Sequence, residues 1–85
     1  MNDQRITKMC NQLEAALQPT VLEIVDESHK HVGHPGAQDG RGHFAVHIHS
    51  PLFHNRTRVQ CHRLIYQALA ELMQTDIHAL RIIIR

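Results

Sequence analysis

Nine of the 85 residues are histidine, at positions 29, 31, 34, 43, 47, 49, 54, 62 and 78. A neutral imidazole is a metal ligand, and an unperturbed ring titrates near pH ~6.5. The formal charge is +1 with neutral histidines, and full protonation adds nine positive charges. A partner chosen by charge, nucleic acid included, would therefore bind in a strongly pH-dependent way. The other soft donors are scarce. Cys10 and Cys61 are too few and too far apart for a disulfide framework or a four-thiolate metal site. They read as two free thiols, one in the core and one partly exposed. Catalytic constellations are missing. Cys61 and His62 are neighbours whose side chains project roughly 100° apart on a helix, which makes no nucleophile–base pair. No glycine-rich phosphate loop follows a strand, and no carboxylate pair stands apart from ordinary surface charge. The expectation is a protein that is not an enzyme.

The elements that must position these histidines are few. Eighty-five residues make a single domain, 1–85, and the apolar fraction of 42% suffices for one core. Charged residues at 20% exclude an acidic or basic disordered tail. Residues 3–17 predict an amphipathic helix with Ile6, Met9, Cys10, Leu13, Ala16 and Leu17 on one face, Asp3 at its start and Pro19 past its end. Residues 21–27 predict a strand with Leu22 and Ile24 on one face and Val21, Glu23 and Val25 on the other. Residues 28–42 hold all four glycines and form a loop too long for a simple hairpin turn. Residues 43–50 alternate cleanly, with Phe44, Val46 and Ile48 toward a core and His43, Ala45, His47 and His49 away from it. After Pro51 comes a turn or short helical piece, then a long helix over about 57–74 opened by a Thr57–Gln60 capping box. Val59, Ile65, Tyr66, Leu69, Leu72 and Met73 are its expected buried stripe, and 77–84 is a third strand with Leu80, Ile82 and Ile84 inward.

The order is αββαβ, an α+β domain with a mixed three-stranded sheet. The first two strands pair antiparallel, the helical crossover makes the second and third parallel, and the helices cover one face. That topology gathers His31, His34, His43 and His78 at one end of the sheet, with His49 and His54 at the other.

From residue 22 onward the motifs fit together. The run LEIVDES (22–28), a loop with His31, HF (43–44), HRLIYQALAEL (62–72) and IHAL (77–80) closely resembles the BolA family, over roughly residues 6–84. The resemblance implies a fold related to the type II KH domain. It also implies a partner, a monothiol glutaredoxin with a CGFS active site, with which such proteins hold a shared 2Fe–2S cluster for iron–sulfur trafficking and iron sensing. Bacterial members are further associated with stress-responsive transcription and cell shape. The ligands it implies here are His78, from the HAL motif, and His31, from the loop, with the remaining ligands a partner Cys and a glutathione thiolate. Two imidazoles on one iron raise its reduction potential relative to thiolates. They must be neutral to bind, so retention should weaken on acidification. His34, His43 and His62 are alternates or hydrogen-bonders to the ligands. No cofactor is expected in the chain alone, which could itself pair as a homodimer.

Two departures from the family pattern stand out. Its F-x-G segment is here Phe53-His54-Asn55, and its Arg-His pair is Cys61-His62. Asn tolerates positive φ, so the turn before the long helix can survive. The rival reading is a DNA-binding regulator, served by the basic patch of Arg56, Arg58 and Arg63. Gly33-His34-Pro35-Gly36 matches the KH backbone clamp GXXG in letters but lies between two strands, whereas the clamp joins two helices. A third reading is a plain zinc-binding or scaffold module; the row His43, His47, His49 would take zinc or copper only adventitiously. The opening MNDQRITKMCNQ lacks the apolar stretch of a signal peptide, and no apolar run approaches the ~20 residues of a membrane span. The expectation is a cytoplasmic protein with no membrane contact.

Overall fold

Helix α1 runs from Asn2 to Leu17 with Asp3 in its first turn, in a computed structural model that describes residues 2–28 and 40–85. Met9, Leu13 and Leu17, four apart, are buried along one side. The helix stops at Gln18, which turns to a left-handed φ of 48° while its N–H still reaches the Glu14 carbonyl, and Pro19 bars another turn.

Strands β1 (Val21–Asp26), β2 (Gly42–His49) and β3 (Ile77–Ile84) form one sheet in the order β1-β2-β3. β1 and β2 pair antiparallel, Val21 opposite His49 and Asp26 opposite Phe44. β2 and β3 pair parallel, Phe44 opposite Leu80 and Ile48 opposite Ile84. The predicted α+β class and αββαβ order therefore stand, as do the inward faces. Phe44, Val46 and Ile48 join Met9, Leu13, Leu17 and Ile65 in one core, with Leu22, Ile24, Leu80, Ile82 and Ile84 packed against it.

Between β2 and the next helix, Pro51–Phe53 makes a short 3-10 turn. Ser50 fixes it: its fully buried hydroxyl donates to the Leu17 carbonyl at the end of α1 and accepts from the Leu52 N–H. Asn55 then takes the left-handed conformation at φ 60°, the position the glycine-free turn required it to fill. Thr57 and Gln60 form the predicted reciprocal capping box, at 3.1 and 2.9 Å.

Three expectations are corrected. The single helix over 57–74 is two, α2 (Arg58–Ala68) and α3 (Ala70–Thr75), separated at Leu69, whose φ of −102° and ψ of 12° leave the helical region. Leu69 still donates to Ile65 and accepts from Met73, so the hydrogen-bond ladder is bent rather than abandoned, and both Leu69 and Leu72 are buried. The buried stripe also differs. Cys61, Ile65 and Leu72 point inward, whereas Val59 and Tyr66 are 60% and 41% exposed. Successive residues turn by roughly 100° around a helix, so positions 59 and 66 share a stripe of their own, away from the one through 61 and 65. Third, the outer face of β2 is not open along its length: His43 and Ala45 are buried, and only His47 and His49 reach solvent.

Candidate functional site

Three consecutive residues, Asp26, Glu27 and Ser28, shape the end of β1 where the long loop departs. The Asp26 carboxylate accepts from the Ser28 N–H at 2.8 Å, a local turn of the kind short acidic side chains make. The Ser28 hydroxyl accepts from the His43 N–H at 3.0 Å, and the Glu27 N–H donates to the His43 carbonyl at 2.7 Å. Glu27 is buried and takes a two-point fork from Arg81 on β3. The fork spans β2 on the sheet's outer side, the side that His43 and Ala45 share. These three residues close the run LEIVDES, and their structural roles leave no trace in that pattern.

The same end is braced from the helices. Asp76, just before β3, accepts from Gly42 N–H at its carbonyl and receives Lys8 and Arg5 at its carboxylate, 3.3 and 3.6 Å away. The Thr75 hydroxyl, first, and the two cations hold that carboxyl below its ordinary range. Arg5 also donates to the Gly40 carbonyl at 2.7 Å, tying α1 to the returning loop.

β3 enters this braced end out of step with β2. Gly42 pairs with Ile77 but His43 pairs with Ala79, which leaves His78 as an extra residue without a place in the ladder. Such bulges re-aim a side chain. The half-buried His78 ring lies 5.2 Å from the His43 ring, centroid to centroid, tilted by 53°. Its Nδ1 sits 3.2 Å from Arg41 Nη2, and the same guanidinium donates from Nη1 to the Met73 carbonyl at 3.0 Å.

Of the four histidines expected to converge, the structure thus brings His43 and His78 together; His31 and His34 lie outside the described residues, as does the GXXG match. His62 is not part of the cluster. It sits in the first half of α2, near the opposite end of the sheet, with its Nε2 turned inward and no hydrogen-bond partner among the described residues. Arg41 was not singled out by its type, since an arginine among loop glycines has the look of a solvated charge.

The far end carries the second candidate. An open groove of about 710 Å³ is lined by His49, His54, Arg56 and Arg58, with Phe53 and Cys61 among its apolar wall. Among the described residues no Asp or Glu side chain lines it. Arg56 is partly committed, its Nε donating to the Leu52 carbonyl at 2.8 Å, and Arg63 does not reach the groove. Cys61 is buried and Cys10 half-buried, both free thiols as predicted.

Residues 13–85 match the family model described as BolA-like protein. The chain is 38% identical over 84 residues to "Protein BOLA1, chloroplastic" of Arabidopsis thaliana, covering 95% of this chain and 52% of that one. It is 43% identical over 68 residues to "DNA-binding transcriptional regulator BolA" of Escherichia coli (strain K12), covering 80% and 62%. It thus spans about half to three fifths of the length of these relatives. In SufE-like protein 1 of Arabidopsis thaliana it corresponds to 20% of the length. Among solved structures, the BolA domain of SufE1 from Arabidopsis thaliana superposes with a TM-score of 0.82 at 35% identity, covering 95% of this chain and 90% of that one. The BolA1 protein from Mus musculus gives 0.70 at 37% identity, covering 89% and 59%.

Proposed function

This chain belongs to the BolA-like family, and from that premise we propose that it is a non-enzymatic adaptor which binds a monothiol glutaredoxin and co-ligates a 2Fe–2S cluster. His78 is the ligand from β3 and His31 the ligand from the loop. The observation that carries this reading is the place of His78: in a bulge, outside the ladder, beside a second imidazole and at the sheet end where the loop begins and returns. A ring freed from strand pairing can be aimed at a ligand carried by another molecule. Among the described residues no three His, Cys, Asp or Glu side chains converge to hold a metal ion. The donor set fits a shared cluster, in which this chain supplies imidazoles and the partner and glutathione supply thiolates. When bound, such a cluster carries electrons or iron and sulfide; the protein's part is to present His78, with His43 packed against it as the neighbour that limits how the ring can turn.

Co-reconstitution with a CGFS glutaredoxin and glutathione, followed by absorption and EPR spectroscopy, tests the proposal. A heterodimer should form, and His78→Ala and His31→Ala should each change the cluster spectrum or abolish it. No heterodimer, or spectra indifferent to both substitutions, would overturn it.

The groove lined by Arg56 and Arg58 favours a second reading, a DNA-binding regulator that meets phosphates through these two side chains. The relative from Escherichia coli bears that description in its name. A salt titration with duplex DNA discriminates: submicromolar, sequence-selective binding near physiological salt, lost in Arg56→Ala and Arg58→Ala, would promote this reading over the first.

A further inference from the structure

A guanidinium carries five N–H donors and no acceptor. The 3.2 Å contact between Arg41 Nη2 and His78 Nδ1 therefore runs one way, from the arginine N–H to the ring lone pair. In the neutral ring the remaining proton is then on Nε2. Neither nitrogen is ready for a metal in that arrangement. The Nδ1 lone pair is engaged by a cation. Nε2 can coordinate only after its proton has left, and moving that proton to Nδ1 puts N–H against N–H. Both routes to a ligated, neutral His78 require the guanidinium to move away.

Arg41 has somewhere to stay when it does. Its Nη1 is held by the Met73 carbonyl, in the last turn of α3, at 3.0 Å. Carbonyls there have no helical partner and lie at the negative end of the helix dipole, so they attract a cation on their own account. Arg41 also sits one residue before β2, and β2 is out of register with β3 at the very next step, between Gly42 and His43. The side chain that engages His78 is thus attached next to the step at which the two strands slip in register.

We propose that Arg41 is a gate on His78: it occupies the ring's lone pair and swings off it, still anchored to Met73, when His78 takes a metal. This rests on the reading of His78 as a cluster ligand. The gate also discriminates. A lone divalent ion approaching His78 meets a fixed positive charge at its intended ligand, and among the described residues no group of three ligands converges there to offset it. A cluster delivered on a docked partner brings ligands of its own.

The test uses the isolated chain and Arg41→Met, which keeps the aliphatic length and removes every donor. Long-range proton–nitrogen NMR correlations should show His78 with an unprotonated, hydrogen-bonded Nδ1 and a protonated Nε2 in the wild type, and a mixture of tautomers in R41M. Cobalt(II), followed by its effect on the His78 ring signals, should half-saturate R41M at about tenfold lower concentration, equivalent to ~1.4 kcal/mol. The gain should vanish in R41M/H78A. Loss of the Met73 contact will cost R41M some stability. Arg41→Lys, which keeps a cation on a shorter fork-less side chain, should give a smaller shift in the same direction and serves if R41M folds poorly. An unchanged tautomer, or cobalt affinity equal to or below the wild type, overturns the gate. Failure of the cluster reading looks different: there His78→Ala leaves the glutaredoxin complex's spectrum unchanged. That result removes cluster ligation and gate together, whereas indifference to R41M removes the gate alone.

Discussion

Arg81 closes a two-point fork on Glu27 across the middle strand, Nη2 to Oε2 at 2.7 Å and Nε to Oε1 at 3.2 Å. The two residues are 54 apart in the chain; Arg81 stands on β3 and Glu27 is the residue that follows β1. The pair therefore clasps the end of β1 to β3, which are not neighbours in the sheet. Forked guanidinium–carboxylate contacts are directional as well as strong. Arg81→Ala and Glu27→Ala should each lower the melting temperature by several degrees, and the double variant should lose clearly less than the two single losses combined. A thermal double-mutant cycle measures this coupling; strict additivity would show that the fork contributes nothing.

Acid should weaken the protein through Asp76. Its carboxyl is held below the ordinary range by the Thr75 hydroxyl and then by Lys8 and Arg5. A depressed carboxylate adds stability that is fully present above its unfolded pKa of about 3.9 and is lost as pH falls through the lower folded value. Asp76→Asn should cost roughly 1 kcal/mol at neutral pH, and the cost should shrink as pH falls below the unfolded value, as the wild type progressively loses the same contribution. Urea unfolding across an acid pH series checks it, and a loss that does not change with pH would rule the linkage out.

Gly42 cannot accept a side chain. A Cβ there would lie 2.5 and 2.6 Å from two carbons of the buried Phe44 ring and 3.2 Å from the Ser28 hydroxyl. Gly42→Ala should destabilise by about 1–3 kcal/mol, the usual range for overpacking. Because Gly42 is the last paired residue before the bulge, the His43 and His78 ring signals should move as well. A variant with wild-type stability and unshifted rings would contradict this packing.

The thiols should separate by reactivity. Burial, and then the Glu14 carboxylate one turn along, push the Cys10 thiol up, and only thiolate attacks a disulfide reagent. Cys61 is 4% exposed. In the native protein one thiol should react, more slowly than free cysteine at pH 8 and faster as pH rises; Glu14→Gln should speed it. Cys61 should react only on unfolding. Two fast thiols in the native state would refute the assignment.

Residues 43–49 show how far sequence pattern reached. Alternation assigned Phe44, Val46 and Ile48 to one face correctly, because a period of two is a local property of the backbone. It sent His43 and Ala45 to solvent, because the period says which residues share a face and nothing about what later covers it. What lies over that face, the Glu27–Arg81 fork included, is set by residues distant in the chain. In α2, apolar identity was mistaken for burial at Val59 and Tyr66, while the thiol of Cys61 took the inward position. Topology alone put positions 43 and 78 at one end. It could not place His78 outside the ladder, since a register slip depends on how two distant strands meet, and it gave no reason to notice Arg41. The turn at Asn55 was readable from the residue type, because few side chains other than glycine accept that φ.

Among the described residues β3 has a strand partner on one side only. Its other edge presents backbone donors and acceptors beside the run Ile82-Ile83-Ile84, β-branched and uncharged, the kind of surface on which a second chain can add a strand and begin to aggregate. Arg81 is the one permanent charge within the strand, and its side chain is 60% exposed. The residue that clasps the sheet is thus also its gatekeeper against self-association. Removing it would open a folding problem and a solubility problem at once, and the second would grow with protein concentration.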